Sequence, residues 1–377
     1  MSKSASDSEE EQILKTQLSP AQKAFHSIEK VEPGISIILP TLNAERTLAA
    51  CLNNLICQDY PRDKIEIIIA DGGSTDNTLK IAEPLVDRII ENPFKIEEAG
   101  KPIAIDIAKN EILAFIDSDN ILSSAKDIRR MVEPFVDTEI VGSEPLYYEY
   151  RKIDGLITRY CSLIGGDDAI YPYLGSYDRF CHFKGKWTEK PITIIEDNIN
   201  YLKFQLNKGE IPTMGANGFF VRKEAFKKTN YKPLHIHTNT IHQLVSLNYN
   251  CMAKVKIGVV HLHGENVHTY VKKKIRRIQK HYVWQGYYED SPLERIRLLK
   301  FIFSTLTVFP LARDVVRGYK KVPDHAWLFH FVACFLSLYT YGLGVLRYTL
   351  SIKISLKVPT ELLTASNTLT KSYDLKL

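Results

Sequence analysis

Ile112-Leu113-Ala114-Phe115-Ile116-Asp117-Ser118-Asp119 decides the fold of this chain. An apolar run ends on two carboxylates one residue apart, so a buried strand would deliver acidic groups to the C-terminal edge of a sheet. In open α/β sheets that edge is where ligands bind. Clustered carboxylates repel one another unless a cation lies between them, and hard divalent cations favour oxygen ligands.

The same pattern stands upstream. Ile67 to Ala70 is continuously apolar, as expected of a parallel strand buried on both faces, and it ends in Asp71-Gly72-Gly73-Ser74-Thr75-Asp76. The glycines permit a tight turn, and Ser74, Thr75 or Asp76 can cap the helix that follows. Earlier still, Ile35-Ser36-Ile37-Ile38-Leu39-Pro40 reads as a strand ending in Thr41-Leu42-Asn43. The helix after it has Leu48, Leu52, Leu55 and Ile56 on one stripe. Strands and helices alternating through short links predict a right-handed βαβ series. Turns on successive strands, two of them with a terminal Asp, predict one shared site.

Together with Gly215-Ala216-Asn217-Gly218-Phe219-Phe220-Val221-Arg222-Lys223, these segments resemble family 2 glycosyltransferases of the GT-A fold, over roughly residues 35–280. The resemblance implies an α/β nucleotide-sugar transferase domain, a nucleotide-sugar donor and Mg²⁺ or Mn²⁺ as cofactor. It implies that Asp71 contacts the base, that Asp119 is catalytic through the metal it ligates, and that Asp117 lies near the ribose or the metal. Pro40, Thr41, Asn43, Glu45, Gly73, Lys101 and Ser118 would complete the donor pocket. Neither G-x-x-x-x-G-K-[ST] nor G-x-G-x-x-G occurs, so the other common phosphate-binding loops are absent.

One departure bears on the chemistry. The family pattern has a Glu-Asp pair after the glycine-rich segment, its Asp acting as base on a sugar hydroxyl. Here that position reads Ile236-His237-Thr238-Asn239. Either His237 takes the role or another acid does, with Asp168, Asp167, Glu196 and Asp197 as candidates. A phosphate acceptor such as a polyprenyl phosphate removes the need, because its nucleophile is already anionic.

The C-terminal third favours a lipid-linked acceptor. Ala326 to Leu346 carries no formal charge and has about the length needed to cross a hydrocarbon core, with Trp327, Tyr339 and Tyr341 as interfacial aromatics. A buried core helix or a re-entrant segment fits the same composition. A shorter apolar run, Phe301 to Ala312, contains Pro310. The fold expected is thus a GT-A domain with a C-terminal apolar, membrane-associated helical region. Before it, residues 271–282 include Lys272, Lys273, Lys274, Arg276, Arg277 and Lys280, suited to anionic headgroups or the donor diphosphate. Alternation along Lys256-Ile257-Gly258-Val259-Val260 puts His261 and His263 on one side. The resemblance implies that one of them, His261 by preference, reaches the metal or diphosphate.

A net charge of +5 suits an anionic donor and an anionic membrane surface. No recognised nucleic-acid fold signature is present, so nucleic acid is not an expected partner. Six cysteines without paired spacing predict free thiols and a reducing compartment. The expected organisation is a flexible polar segment at 1–33, a GT-A domain at 34–265, a basic interfacial helix at 266–295, membrane-associated or transmembrane helices at 296–350, and a polar tail at 351–377. The expected setting is a membrane, with the catalytic domain on its cytoplasmic side and a lipid-linked or glycan acceptor.

Overall fold

The computed structural model describes residues 32–175, 177–264, 266–283 and 292–349. The polar tail expected at 351–377, and all but two residues of the segment expected at 1–33, lie outside the described residues. The strands are β1 (Ile35–Thr41), β2 (Ile65–Asp71), β3 (Arg88–Glu91), β4 (Ile112–Phe115), β5 (Asn120–Leu122), β6 (Gly142–Tyr148), β7 (Ile192–Asp197), β8 (Tyr201–Leu206), β9 (Phe219–Arg222) and β10 (Cys251–His261). They form one sheet in the order β3-β2-β1-β4-β9-β6-β10-β8-β7, with β5 added beside β10. Strands β3, β2, β1 and β4 are mutually parallel, as the βαβ pattern predicts. Beyond β4 the sheet becomes mixed, with β9 antiparallel to both β4 and β6.

The helices are α1 (Glu45–Ile56), α2 (Thr78–Ala82), α3 (Glu97–Ile107), α4 (Asp127–Val132), α5 (Leu156–Ile164), α6 (Tyr171–Leu174), α7 (Lys223–Phe226), α8 (His237–Ser246), α9 (Val267–Val283), α10 (Pro292–Thr307), α11 (Phe309–Lys321) and α12 (Phe329–Thr349). Alternate residues of the central strands feed two different cores. Ile37, Leu39, Ile67 and Ile69 join Leu48, Leu52 and Leu55 of α1, whereas Ile38, Ile68, Ala70 and Phe115 join Ala104 and Ile105 of α3. That division follows from the two-residue period of a strand covered by helices on both faces.

A third core links the middle of the chain to its C-terminal helices. Ile157, Tyr160 and Leu163 of α5 pack with Phe301 of α10, Leu311 and Val315 of α11, and Trp327, Ala333 and Cys334 in and before α12. The run Phe301 to Ala312 divides at Val308, which has φ 65°, into α10 and α11, with Pro310 in the first turn of α11. Proline is tolerated there because that turn lacks backbone acceptors for its N–H groups in any case. The segment His325–Arg347 is long and apolar enough to cross a membrane by length and composition. One side of it is occupied by protein: His330, Ala333, Cys334, Ser337 and Thr340 are buried. β10 is longer than the sequence suggested, because pairing with β6 and β8 extends it back to Cys251. All six cysteines are free, as their spacing predicts.

Candidate functional site

The parallel strands β2, β1 and β4 end side by side, with Thr41 in register with Asp71 and Ile38 with Phe115. The β1 and β2 loops are laced together. Thr41 Oγ1 donates to Asp71 Oδ1 at 2.8 Å, and the Gly73 and Ser74 amides donate to Asp71 Oδ2 at 2.9 and 2.8 Å. Asn43 Oδ1 accepts from the Thr75 amide at 2.8 Å, and Glu45 Oε2 from the Asn77 amide at 3.0 Å. Gly73 has φ 83° and Asn43 φ 51°, conformations that only glycine and short polar residues adopt readily. The predicted donor-side residues Pro40, Thr41, Asn43, Glu45, Asp71 and Gly73 therefore gather at one edge of β1 and β2. Asp71 shapes its own turn, both of its carboxylate oxygens accepting bonds from Thr41, Gly73 and Ser74.

Asp117 and Asp119 follow β4 directly, and the Ile116 amide donates to Ile38 O at 3.3 Å, which continues the pairing with β1 to the start of the turn. Asp117 Oδ1 is buried without a hydrogen-bond partner and lies 3.4 Å from Lys101 Nζ. Lys101 is on α3, only 2 % exposed, and also pairs with Glu97. Burial raises the Asp117 carboxyl above the ordinary range, and Glu97 and Asp119 add to it while Lys101 opposes them. For Lys101 burial acts against the charge, but Asp117 and Glu97 outweigh it and hold the ammonium protonated.

Asp119 is held differently. Its Oδ2 lies 3.4 Å from His261 Nε2 and 3.9 Å from Lys273 Nζ, and its carbonyl accepts from the Leu262 amide at 2.8 Å. Burial would raise its carboxyl, but His261, Lys273 and His263 push it below the usual range. His261 is shifted up: burial opposes its charge and the Asp119 carboxylate prevails. His263, whose ring centroid lies 4.2 Å from that of His261, is driven well down by burial and by the His261 charge. The two imidazoles therefore sit together, as alternation predicts, but are shifted in opposite directions.

Of the expected metal ligands, Asp119 and His261 are brought together, while Asp117 turns to Lys101. Among the described residues no group of three or more His, Cys, Asp or Glu side chains is gathered to hold a metal. The donor chemistry nevertheless fits a hard divalent cation, because Asp119 is a carboxylate at the cleft and Asp117 Oδ1 is a buried oxygen that no hydrogen-bond donor satisfies. A cation at Asp119 would compete with the His261 ring for Oδ2. Ser118, between the two acids, is half-buried.

The glycine-rich segment is tied to this turn. Asn120 Nδ2 donates to Asn217 Oδ1 at 3.2 Å, Asn217 Nδ2 to the Tyr148 hydroxyl at 3.0 Å, and that hydroxyl to Asp178 Oδ2 at 2.7 Å. Arg179 donates to the carbonyls of Ala216 and Asn217 at 3.0 and 2.9 Å. Behind it a fully buried Glu144 pairs with Lys254 and Arg179. His237 opens α8 and packs on this segment, since a side chain at Gly215 (φ 100°) would come within 3.2 Å of its Cβ.

Asp168 is engaged elsewhere. Its carboxylate accepts from Lys274 Nζ at 2.9 Å, Arg277 Nη1 at 3.0 Å, Ser337 Oγ at 2.8 Å and the Tyr341 hydroxyl. Burial opposes its charge, yet Lys274 and Arg277 hold the carboxyl below the ordinary range. A carboxylate so satisfied is a poor proton acceptor, and its role here is to fasten the loop after α5 to α9 and α12. Asp167 pairs with Arg277, and Glu196 and Asp197 lie on the edge strand β7.

Several residues of this region carry no local sequence signal. The ring of His235 stacks on Phe115 at 4.8 Å and is kept neutral by burial and by Lys101. Tyr148, Asp178 and Arg179 come from the aromatic-rich middle of the chain, and only the folded sheet brings them beneath Asn217. Lys273 lies within the basic run, but only the turn from β10 into α9 distinguishes it from its neighbours.

A family model described as glycosyl transferase family 2 matches residues 36–229. The poly(ribitol-phosphate) β-N-acetylglucosaminyltransferase TarS of Staphylococcus aureus is 32% identical over 126 residues, covering 32% of this chain and 21% of that protein. Glycosyltransferase AglE of Haloferax volcanii is 32% identical over 93 residues, covering 23% of this chain and 31% of that protein. A dolichyl N-acetyl-α-D-glucosaminyl phosphate 3-β-D-2,3-diacetamido-2,3-dideoxy-β-D-glucuronosyltransferase of Methanococcus voltae is 51% identical over 51 residues, 14% of this chain and 16% of that protein. The matches thus take in less than a third of the length of each of these relatives. Among solved structures, the mannosyltransferase PcManGT of Pyrobaculum calidifontis superposes with a TM-score of 0.46 at 16% identity, covering 91% of this chain and 81% of that one. With its strand-edge acids, glycine-rich wall and βαβ order all inside the matched region, the chain belongs to glycosyl transferase family 2 and is built on that family's GT-A fold.

Proposed function

We propose that the protein transfers a glycosyl group from a nucleotide-diphosphate sugar to a lipid-linked acceptor, in its simplest form a polyprenyl phosphate, with Mg²⁺ or Mn²⁺ as cofactor. The observation that carries this reading is the Asp117–Asp119 turn, which lies at the parallel-strand edge between Lys101 on one side and His261 and Lys273 on the other. In this reading Asp119 and Asp117 hold the cation, with His261 beside Asp119. The bound cation would stabilise negative charge on the departing diphosphate. Asp71, Thr41, Asn43 and Glu45 form the nucleoside side of the pocket. An acceptor oxygen attacks the anomeric carbon as the bond to the diphosphate oxygen breaks, and the electron pair leaves with the diphosphate.

A phosphate acceptor brings no proton that must be removed. That matches the lack of a carboxylate at residues 236–239 and the full engagement of Asp168 by cations and hydroxyls. The names of the TarS and Methanococcus relatives, which refer to a poly(ribitol-phosphate) and a dolichyl N-acetyl-α-D-glucosaminyl phosphate, agree with an acceptor that carries phosphate or lipid. The setting that suits it is the cytoplasmic membrane face, with a GT-A domain at 34–265 followed by basic and apolar helices. A second reading, transfer to a sugar hydroxyl with His237 as base, draws on the place of His237 against the glycine-rich segment. Incubation with nucleotide sugars and Mn²⁺, offering polyprenyl phosphate against free sugars, tests the pair. A lipid-linked sugar product is expected, and transfer to sugar hydroxyls alone would overturn the first reading.

A further inference from the structure

The three C-terminal helices have their polarity arranged inside out. On α12 and the turn before it, Leu328, Val332, Phe335, Tyr339 and Leu346 are exposed at helical spacing. The opposite stripe buries His330, Ser337 and Thr340 against the protein. His330 takes hydroxyl contacts on both ring nitrogens, from Tyr160 at 2.7 Å and from Tyr173 at 3.0 Å. α10 repeats the pattern, with Ile296, Leu299, Phe303 and Leu306 exposed three and four residues apart while Phe301 and Thr305 are buried. Phe309, where α11 begins, is 86 % exposed. Phe301, Leu311 and Ala333 of α10, α11 and α12 join one shared core, so the exposed apolar side chains of α10 and α12 lie on the outer side of that core. Soluble monomers seldom leave so many large apolar side chains together in water.

The charge around these stripes says what meets them. From Pro292 to Thr349 there are eight Lys or Arg residues and three acids. Two of the acids are turned inward: Asp314 accepts from the Tyr173 hydroxyl at 3.0 Å, and Asp324 pairs with Arg159 at 3.1 Å. Arg313, Arg317, Lys320 and Lys321 of α11 are exposed. An apolar stripe flanked by outward cations fits the boundary between acyl chains and anionic headgroups, whereas two like-charged copies would repel one another. A crossing arrangement of α12 would need lipid around its whole circumference. Here that would tear Ser337 and Tyr341 from Asp168 and His330 from its two tyrosines.

We infer that α10, α11 and α12 form an in-plane docking face for an anionic bilayer, with α12 lying along the membrane surface instead of crossing it. This inference deepens the lipid-linked reading above and rests on its premise of a bilayer substrate. The test is flotation of the full chain with vesicles of phosphatidylcholine alone or mixed with phosphatidylglycerol, alongside hydrolysis of a soluble nucleotide sugar. Binding is expected only with phosphatidylglycerol, with release by alkaline carbonate. Phe303→Glu and Phe335→Glu should each lower the bound fraction at least tenfold at unchanged thermal stability and donor hydrolysis. Should either variant fail to fold, Phe303→Gln and Tyr339→Gln, which add no charge, serve in its place. Retention through carbonate, binding indifferent to the substitutions, or a vesicle-free dimer that the substitutions dissolve would each overturn the inference. Because donor hydrolysis needs no lipid, its loss would count against the transferase reading and leave the docking result legible by itself.

Discussion

Lys101 Nζ stands 3.4 Å from Asp117 Oδ1, joining α3 to the turn after β4 in the interior of the cleft. The ammonium opposes the burial that raises the Asp117 carboxyl, so it keeps a proton from occupying the oxygen a cation would use. Lys101→Met should raise that carboxyl further. Binding of Mn²⁺ with a nucleoside diphosphate, read by calorimetry at pH 5, below the raised Asp117 value of about 6, should weaken by about tenfold, the equivalent of one pKa unit. The sign is fixed: the carboxylate form binds, so affinity in the variant should recover as pH rises. Equal loss at every pH would remove Lys101 from this role.

Asp119→Asn keeps the shape of the turn and removes the charge facing His261 and Lys273. A fall of about a hundredfold or more in kcat is expected in a Mn²⁺-supported transfer or donor-hydrolysis assay, corresponding to roughly 3 kcal/mol of transition-state stabilisation. Without Asp119 to favour its charge, the His261 imidazolium should also titrate lower, which NMR of the ring protons would register.

Asp168→Asn should damage the fold more than the chemistry. It would strand Lys274, which is 1 % exposed, without its acid, while Arg277 keeps Asp167. Removing one partner of a buried pair costs about 3–5 kcal/mol. The Asp168 carboxyl is depressed in the folded state, so the stability it contributes is present above the unfolded value of about 4 and is lost as pH falls through the lower folded value. Thermal melts at neutral pH and at pH near 3 should therefore show a smaller acid-side drop for the variant than for the parent protein.

His237→Ala separates the two acceptor readings. With a polyprenyl phosphate as acceptor, kcat should change by less than about threefold. A general base for a hydroxyl contributes about 10²–10⁴. A loss of that size would assign the proton to His237.

Gly318 lies where α11 meets the indole that precedes α12. A Cβ there would come within 2.5 Å of Trp327 Cε2 and Cζ2, and both residues are buried. Gly318→Ala should lower stability by about 1–3 kcal/mol, the usual cost of overpacking a core. An unchanged melting temperature would show that the two helices separate more easily than their packing implies.

The parallel half of the sheet was legible because a strand buried on both faces writes a continuous apolar run, and its turn chemistry follows at once. Hence β1, β2, Asp71, Asp117 and Asp119 could be read directly. The mixed half was not, because its strands find their register largely against segments distant in sequence, β6 and β8 against β10, and β9 against β4 and β6. Lys101 was expected in the donor pocket through the family resemblance alone; its placement on α3, packed beside Asp117, is a tertiary fact that no local pattern encodes. Asp168 looked like a free acid for the opposite reason, since its four side-chain partners lie more than a hundred residues along the chain. The apolar stretch in α12 had the composition of a membrane span. Only its buried stripe of His330, Ser337 and Thr340 showed that one side belongs to protein.

β10 is the last strand of the sheet to leave the ribosome, and it carries His261 to Asp119 from more than 140 positions downstream. A nascent polypeptide can thus bring the ends of β1, β2 and β4 together while His261 and Lys273, the partners of Asp119, are still unsynthesised.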